Sequence, residues 1–251
     1  MRKRRMYLVS WLNSSGFLPN SWNEGRGNRA RIFDLENYIR SAEIARRGRI
    51  DAFFLADQPQ LTPNPKVRHE YPFDPIVLAA AITGRVPDIG GIVTASTSFS
   101  LPYTLARQIA SVNLLSGGRI GWNAVTTANP AVAANYGAAI ATHDNRYERA
   151  EEFLEVVHGL WNSWKFPWDE AIGPNPNPFG EVMPINHEGK YFKVAGPLNV
   201  PLPPYGPPVV VQAGGSDQGK RLASRFGEII YAFLGSKPAG RRFVAEARAA
   251  A

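Results

Sequence analysis

At 251 residues, 44% hydrophobic and 20% charged, the chain is long enough for one large buried core and too apolar for a disordered segment. It has no cysteine, which excludes disulfides, thiolate catalysis and cysteine-held zinc and agrees with a cytoplasmic setting. The net charge of +7 sits at the two ends, in Arg2, Lys3, Arg4 and Arg5 and in seven basic against two acidic residues over 218–251, so it describes solvated termini and no nucleic-acid face.

No apolar run approaches the about 20 residues of a membrane span. Met6 to Leu12 is too short, and too soon broken by Asn13-Ser14-Ser15, to be a signal peptide. It reads as a first strand. Leu35, Tyr38, Ile39 and Ala42 then recur at helical spacing until Gly48. A buried strand over 50–56 ends at Asp57, and Pro75 suits the first turn of a helix over 75–83. A strand over 89–97, a helix over 101–115 and a strand over 119–125 continue the alternation. Asn145 and Glu148 resemble a capping box, followed by an apolar stripe from Tyr147 to Trp161.

Residues 163–207 hold ten of the 21 prolines, too many for a regular element. They are expected to form an ordered excursion over the mouth of the fold, with a hairpin near His187 to Lys190 and with Trp161, Trp164 and Trp168 closing its junction with the preceding helix. A strand over 208–213, a helix over 217–226, a strand over 228–234 and a helix over 239–250 complete the chain. Strand and helix in alternation specify a parallel sheet with helices outside. Six strands are countable where an α/β barrel needs eight. One domain over 1–251 is expected.

The candidate chemistry lies at strand ends. In Ser116-Gly-Gly-Arg-Ile-Gly-Trp-Asn-Ala-Val-Thr-Thr-Ala-Asn-Pro130, Gly117 or Gly118 can close a helix, and Asn123, Thr126, Thr127 and Asn129 follow where a barrel strand delivers side chains to its mouth. Gln212-Ala-Gly-Gly-Ser-Asp-Gln-Gly219 joins a strand to a helix. Its glycines and the helix start suit an anionic phosphate, with Ser216 donating a hydroxyl hydrogen bond; Ser216 could equally be a plain helix cap. His143 and Tyr147 share a face if the helix begins early, and otherwise Tyr147 only opens the apolar stripe. Asp57 and Thr94 stand near strand ends, where a loop cap and simple β-propensity are the plainer explanations. His69, His158 and His187 lack metal-ligand spacing, no G-x-G-x-x-G follows a strand, and no residue stands out as a catalytic nucleophile.

Together these segments, with His187-Glu-Gly-Lys-Tyr-Phe192, resemble the bacterial-luciferase-like flavin monooxygenases. The branch is that of the nitrilotriacetate, EDTA and dibenzothiophene-sulfone monooxygenases and a pristinamycin synthase subunit. The resemblance implies a TIM-type (β/α)8 barrel, incomplete at about six of eight strands and C-terminally truncated. It implies reduced FMN as co-substrate, supplied by a separate NAD(P)H:flavin oxidoreductase, with O2 and a small organic substrate, in a homo-oligomer without membrane or nucleic acid. Asp57 and Thr94 would flank the flavin, Asn123 would meet the polar edge of its ring or satisfy buried backbone, and His143, Tyr147 and Ser216 would hold the phosphate or ribityl chain. Asp74-Pro75 stands where relatives show Glu-Pro. A deazaflavin-dependent oxidoreductase of the same fold and a non-catalytic remnant are the alternatives.

Overall fold

Short apolar runs that end in polar or glycine turns become the strands of one curved sheet. The computed structural model describes residues 6–13, 16, 29–61, 71–165 and 181–250. Strands β1 (Val9–Trp11), β2 (Ala52–Leu55), β3 (Gly90–Ser96), β4 (Ile120–Val125), β7 (Val209–Ala213) and β8 (Ile229–Tyr231) pair in that order, every neighbour parallel. The expected six parallel strands are present, as the arc of an incomplete (β/α)8 barrel. The Phe54 ring on β2 stacks on that of Tyr231 on β8 at 5.6 Å, so the arc curls until its second and last strands meet across the inside.

Helices α1 (Leu35–Arg47), α2 (Pro75–Thr83), α3 (Pro102–Leu115), α5 (His143–Trp161), α6 (Asp217–Phe226) and α7 (Lys237–Ala250) follow the strands. Asp34 caps α1 by accepting from Glu36 N, and Asp74 caps α2 by accepting from Ile76 N and Val77 N, with Pro75 in the first turn. Asn145 does not cap α5. That role belongs to Thr142, whose hydroxyl accepts from Asn145 N, so α5 starts at His143 and gains almost a turn. A short helix α4 (Pro130–Asn135), capped by Asn129, occupies part of what the sequence showed as a polar loop, and a 3-10 turn covers Arg29–Phe33. Gly117 and Gly118 both take positive φ, at 71° and 82°, in the turn that ends α3.

The core fills the space between sheet and helices. Trp122 on β4, fully buried, meets Phe153 at 6.0 Å and Trp161 at 6.2 Å on α5, and its Nε1–H donates to Ala95 O. Arg119, just before β4, donates to the carbonyls of Thr83, Val86, Ile89 and Ser116 at 2.6–3.0 Å. One guanidinium thereby satisfies the carbonyls that end α2, lead into β3 and end α3.

The described part of the excursion corrects one expectation. Strands β5 (His187–Glu188) and β6 (Lys193–Val194) form the expected hairpin, but residues 181–207 lie along α5 and α3 and not over the strand ends. Trp164 Nε1–H donates to Leu198 O, Trp161 Nε1–H to Ala106 O, and Tyr205 Oη–H to Leu114 O at the far end of the sheet. The apolar groove between these helices is filled by Phe192 and Leu198, which is why the segment settles there. Trp168 lies outside the described residues.

Candidate active site at the strand ends

Parallel register sets which side chains share a face. Thr94 pairs with Asn123 and Asn123 with Val211, so these positions point inside the arc, whereas Trp122 and Gln212, one step away, point to the helices. Asn123 Nδ2 donates to Thr94 Oγ1 at 2.9 Å, while Asn123 Oδ1, fully buried, has no hydrogen-bond partner. An unpaired buried acceptor costs about 1–3 kcal/mol. Asp57, Thr94 and Asn123 line one cavity of about 350 Å³ with Trp11, Phe54 and Tyr231. Ser96 Oγ and Thr127 Oγ1 are bonded at 2.6 Å, and Thr127 N–H donates to Ser98 Oγ, which ties the loops after β3 and β4 together at its rim.

The second group forms around the start of α5. Because α5 begins at His143, the His143 and Tyr147 rings share a face at 4.8 Å. Tyr147 Oη lies 3.3 Å from where a Gly214 Cβ would stand, so the phenol reaches the glycine turn after β7, where a side chain at 214 would crowd it. Gln218 Nε2 donates to Asp144 Oδ1 at 3.0 Å, joining the starts of α5 and α6. Ser216 is the cap of α6: its Oγ accepts from Gly219 N at 3.1 Å, which leaves its hydroxyl hydrogen available to donate. Gln212, which sequence reasoning passed over, has an unpartnered buried Oε1 beside Gly214. A glutamine at the last buried position of a strand was the available signal.

The six candidate residues therefore fall into two groups. Asp57, Thr94 and Asn123 line the cavity inside the arc, and His143, Tyr147 and Ser216 gather at the adjoining helix starts. Arg149, two residues after Tyr147, donates to Thr97 O and stacks on Phe192 at 4.7 Å, linking α5 to the loop after β3. His158 lies in α5 between Trp161 and Phe226, and His187 bonds Glu152. His69 lies outside the described residues, among which no group of three metal-ligating side chains occurs.

Burial, and then the nearby charge of Asp74, push the Asp57 carboxyl from 3.8 up to about 6. The folded chain thus keeps this proton where the unfolded chain has released it, and stability falls as pH rises from about 4 to about 6. The cost, about 3 kcal/mol, is complete above that window. Asp57→Asn should therefore raise the urea unfolding midpoint near pH 7.5 and leave it unchanged near pH 4; equal gains at both would contradict the assigned shift.

The family profile of luciferase-like monooxygenases matches residues 14–251. Nitrilotriacetate monooxygenase component A of Aminobacter aminovorans is 35% identical, over 98% of this chain and 57% of that protein. The solved EDTA monooxygenase from Chelativorans sp. BNC1 superposes with a TM-score of 0.95 at 99% identity, over 98% of this chain and 60% of that one. A riboflavin lyase solved with modified FMN and riboflavin superposes with a TM-score of 0.86 at 30% identity, over 98% of this chain and 58% of that one. The chain spans little more than half the length of these relatives. Among the described residues no helix is long and apolar enough to cross a membrane.

Proposed function

The chain belongs to the luciferase-like monooxygenase family, and from that membership we propose that it is the FMN-binding part of a two-component monooxygenase acting on an aminopolycarboxylate. The substrate class rests on the likeness to the EDTA and nitrilotriacetate enzymes. A separate NAD(P)H:flavin oxidoreductase would supply the reduced flavin, consistent with a relative named as a component A.

The observation that carries the cofactor is the buried, unpartnered Asn123 Oδ1 in a cavity at the strand ends. It would accept from an N–H donor on the flavin ring edge, with Asp57 and Thr94 beside it. Ser216, Tyr147, His143 and the amides at the start of α6 would hold the phosphate end, where helix N–H groups and the partial positive charge of the helix favour an anion. Bound reduced FMN supplies the electrons that activate O2. The protein would orient flavin and substrate, with Trp11, Phe54 and Tyr231 on the cavity wall.

Ser216→Ala removes one hydrogen bond to an ionised group and should weaken FMN by about tenfold or more. Because Ser216 also caps α6, riboflavin serves as the control: its affinity should not change, and FMN should bind the parent chain more tightly than riboflavin does. Equal FMN and riboflavin affinity in the parent chain would remove the phosphate assignment. Oxygenation should appear only when a flavin reductase is present, even across a dialysis membrane, and NADH consumption by the purified chain alone would contradict the two-component scheme.

A further inference from the structure

Gln212, the last residue but one of β7, stands where the strand runs into the glycine turn. It pairs with Ala124 on β4 and Ile230 on β8, is 2% exposed, and follows Val209, Val210 and Val211. Its Nε2 donates to Ala213 O at 3.0 Å, and its Oε1, out of reach of solvent, has no partner. An apolar side chain would fill this place with nothing left unpaired, so the strand itself does not call for a carboxamide here.

The neighbour able to supply a hydrogen is Tyr147. A Cβ at Gly214 would stand 3.2 Å from Gln212 Nε2, 3.5 Å from Gln212 Oε1 and 3.3 Å from Tyr147 Oη, so carboxamide and phenol border the same gap. Glycine at 214 keeps that gap open. Among the described residues the Tyr147 hydroxyl makes no hydrogen bond, to Gln212 or to any other group. Solvent does not reach Gln212 Oε1, so its donor must come from the protein, and the freely turning hydroxyl of Tyr147 needs no backbone movement to serve.

A tyrosine hydroxyl carries one hydrogen and two lone pairs. If the hydrogen points at a ligand, Tyr147 suits an ionised phosphate, which only accepts. If Gln212 takes the hydrogen, the lone pairs are left for the ligand, and Tyr147 suits a hydroxyl, which can donate. We propose that Gln212 is a positioning residue. In the flavin-bound chain its Oε1 accepts from Tyr147 Oη–H, which turns the phenol lone pairs to the hydroxyls of the ribityl chain and leaves the phosphate to Ser216 and the amides that open α6. This role rests on the proposed FMN site, and it narrows Tyr147 from the phosphate end in general to the polyol beside the phosphate.

Lumiflavin has the ring alone, riboflavin adds the ribityl chain and FMN adds the phosphate, so titrating all three by flavin fluorescence reads each part separately. Gln212→Met keeps the length of the side chain and removes both polar atoms. It should weaken FMN and riboflavin by the same factor, about fivefold, and leave lumiflavin unchanged, whereas a loosened fold would weaken all three. Tyr147→Phe should give the same pattern, and the double variant should bind no more weakly than Tyr147→Phe alone. Gly214→Ala, which wedges a methyl between the two groups and deletes neither, should reproduce it. Loss of FMN affinity without loss of riboflavin affinity, equal losses for all three flavins, or losses that add in the double variant would overturn the proposal. A parent chain that binds none of the three would remove the FMN site and this role with it. A parent that binds them no better than Gln212→Met does would remove the role of Gln212 and leave the FMN site standing.

Discussion

Replacing Glu152 with alanine is expected to cost about 3–5 kcal/mol of stability. Its carboxylate accepts from Tyr191 N and Phe192 N at 2.8–3.1 Å and pairs with His187 Nε2 at 3.1 Å, so this side chain on α5 clamps the β5–β6 hairpin, with Glu148 adding exposed bonds to Lys190 and Tyr191. Burial would raise this carboxyl, but the bonds from His187, Tyr191 and Phe192 outweigh it, and the net shift is downwards. Alanine would strand those donors against the helix, and the hairpin would detach. Glu152→Gln keeps one acceptor oxygen and should lose about 1–2 kcal/mol. Gly189→Ala supplies an independent check. A Cβ at 189 would stand 2.1 Å from Glu152 Oε1 and 2.7 Å from His187 Nε2, so that substitution should mimic the loss of the carboxylate with the carboxylate still present. Urea unfolding followed by circular dichroism reads all three, and a Glu152→Ala midpoint equal to that of the parent would refute the clamp.

Trp122→Ala should cost about as much, about 3–5 kcal/mol, for a different reason. The ring is fully buried between β4 and α5, against Phe153 and Trp161, and removing it opens a cavity that two other rigid rings cannot collapse into. It also removes the bond to Ala95 O, one residue after Thr94. Trp122→Phe fills most of the volume and loses only that hydrogen bond, so it should cost about half as much or less. Similar unfolding midpoints for the two variants would show that cavity formation is not the main effect. Because Asn123 follows Trp122 on the same strand and faces the other way, the alanine variant should also weaken FMN in the fraction that stays folded.

Much of the fold was legible because parallel strands buried on both faces read as continuous apolar runs, and glycine or proline marked where helices stop and start. Asp217–Phe226 is the clearest case, with Ser216 before it and Gly227 after it. The start of α5 was misread because Asn145 and Glu148 copy a capping box. Thr142 is an equally good cap three residues earlier, and only the turn it closes decides between them. The short α4 was overlooked although Asn129-Pro130 is a start signal, since six residues leave no periodicity to see. The candidate site was legible where a polar side chain ends a strand, as with Asp57, Thr94 and Asn123. It was hidden where the partner comes from afar. Tyr136 faces Asp57 and Asp74 only after three βα units have folded, and the excursion's place on α3 and α5 depends on a groove that no local pattern encodes.

The stack of Phe54 on Tyr231 has a kinetic side. The contact joins the second strand to the last, so closing it means ordering nearly the whole chain between them, whereas β2, β3 and β4 each pair with a neighbour one helix away. The arc from β1 to β4 can therefore assemble early from nearby pieces, carrying Asp57, Thr94 and Asn123 into register together. β7 and β8 must join later, across the long excursion, and bring Gly214, Ser216 and Tyr231 with them. The strand-end cavity is thus built in two instalments, the half with Asp57, Thr94 and Asn123 first and the half with Gly214, Ser216 and Tyr231 last.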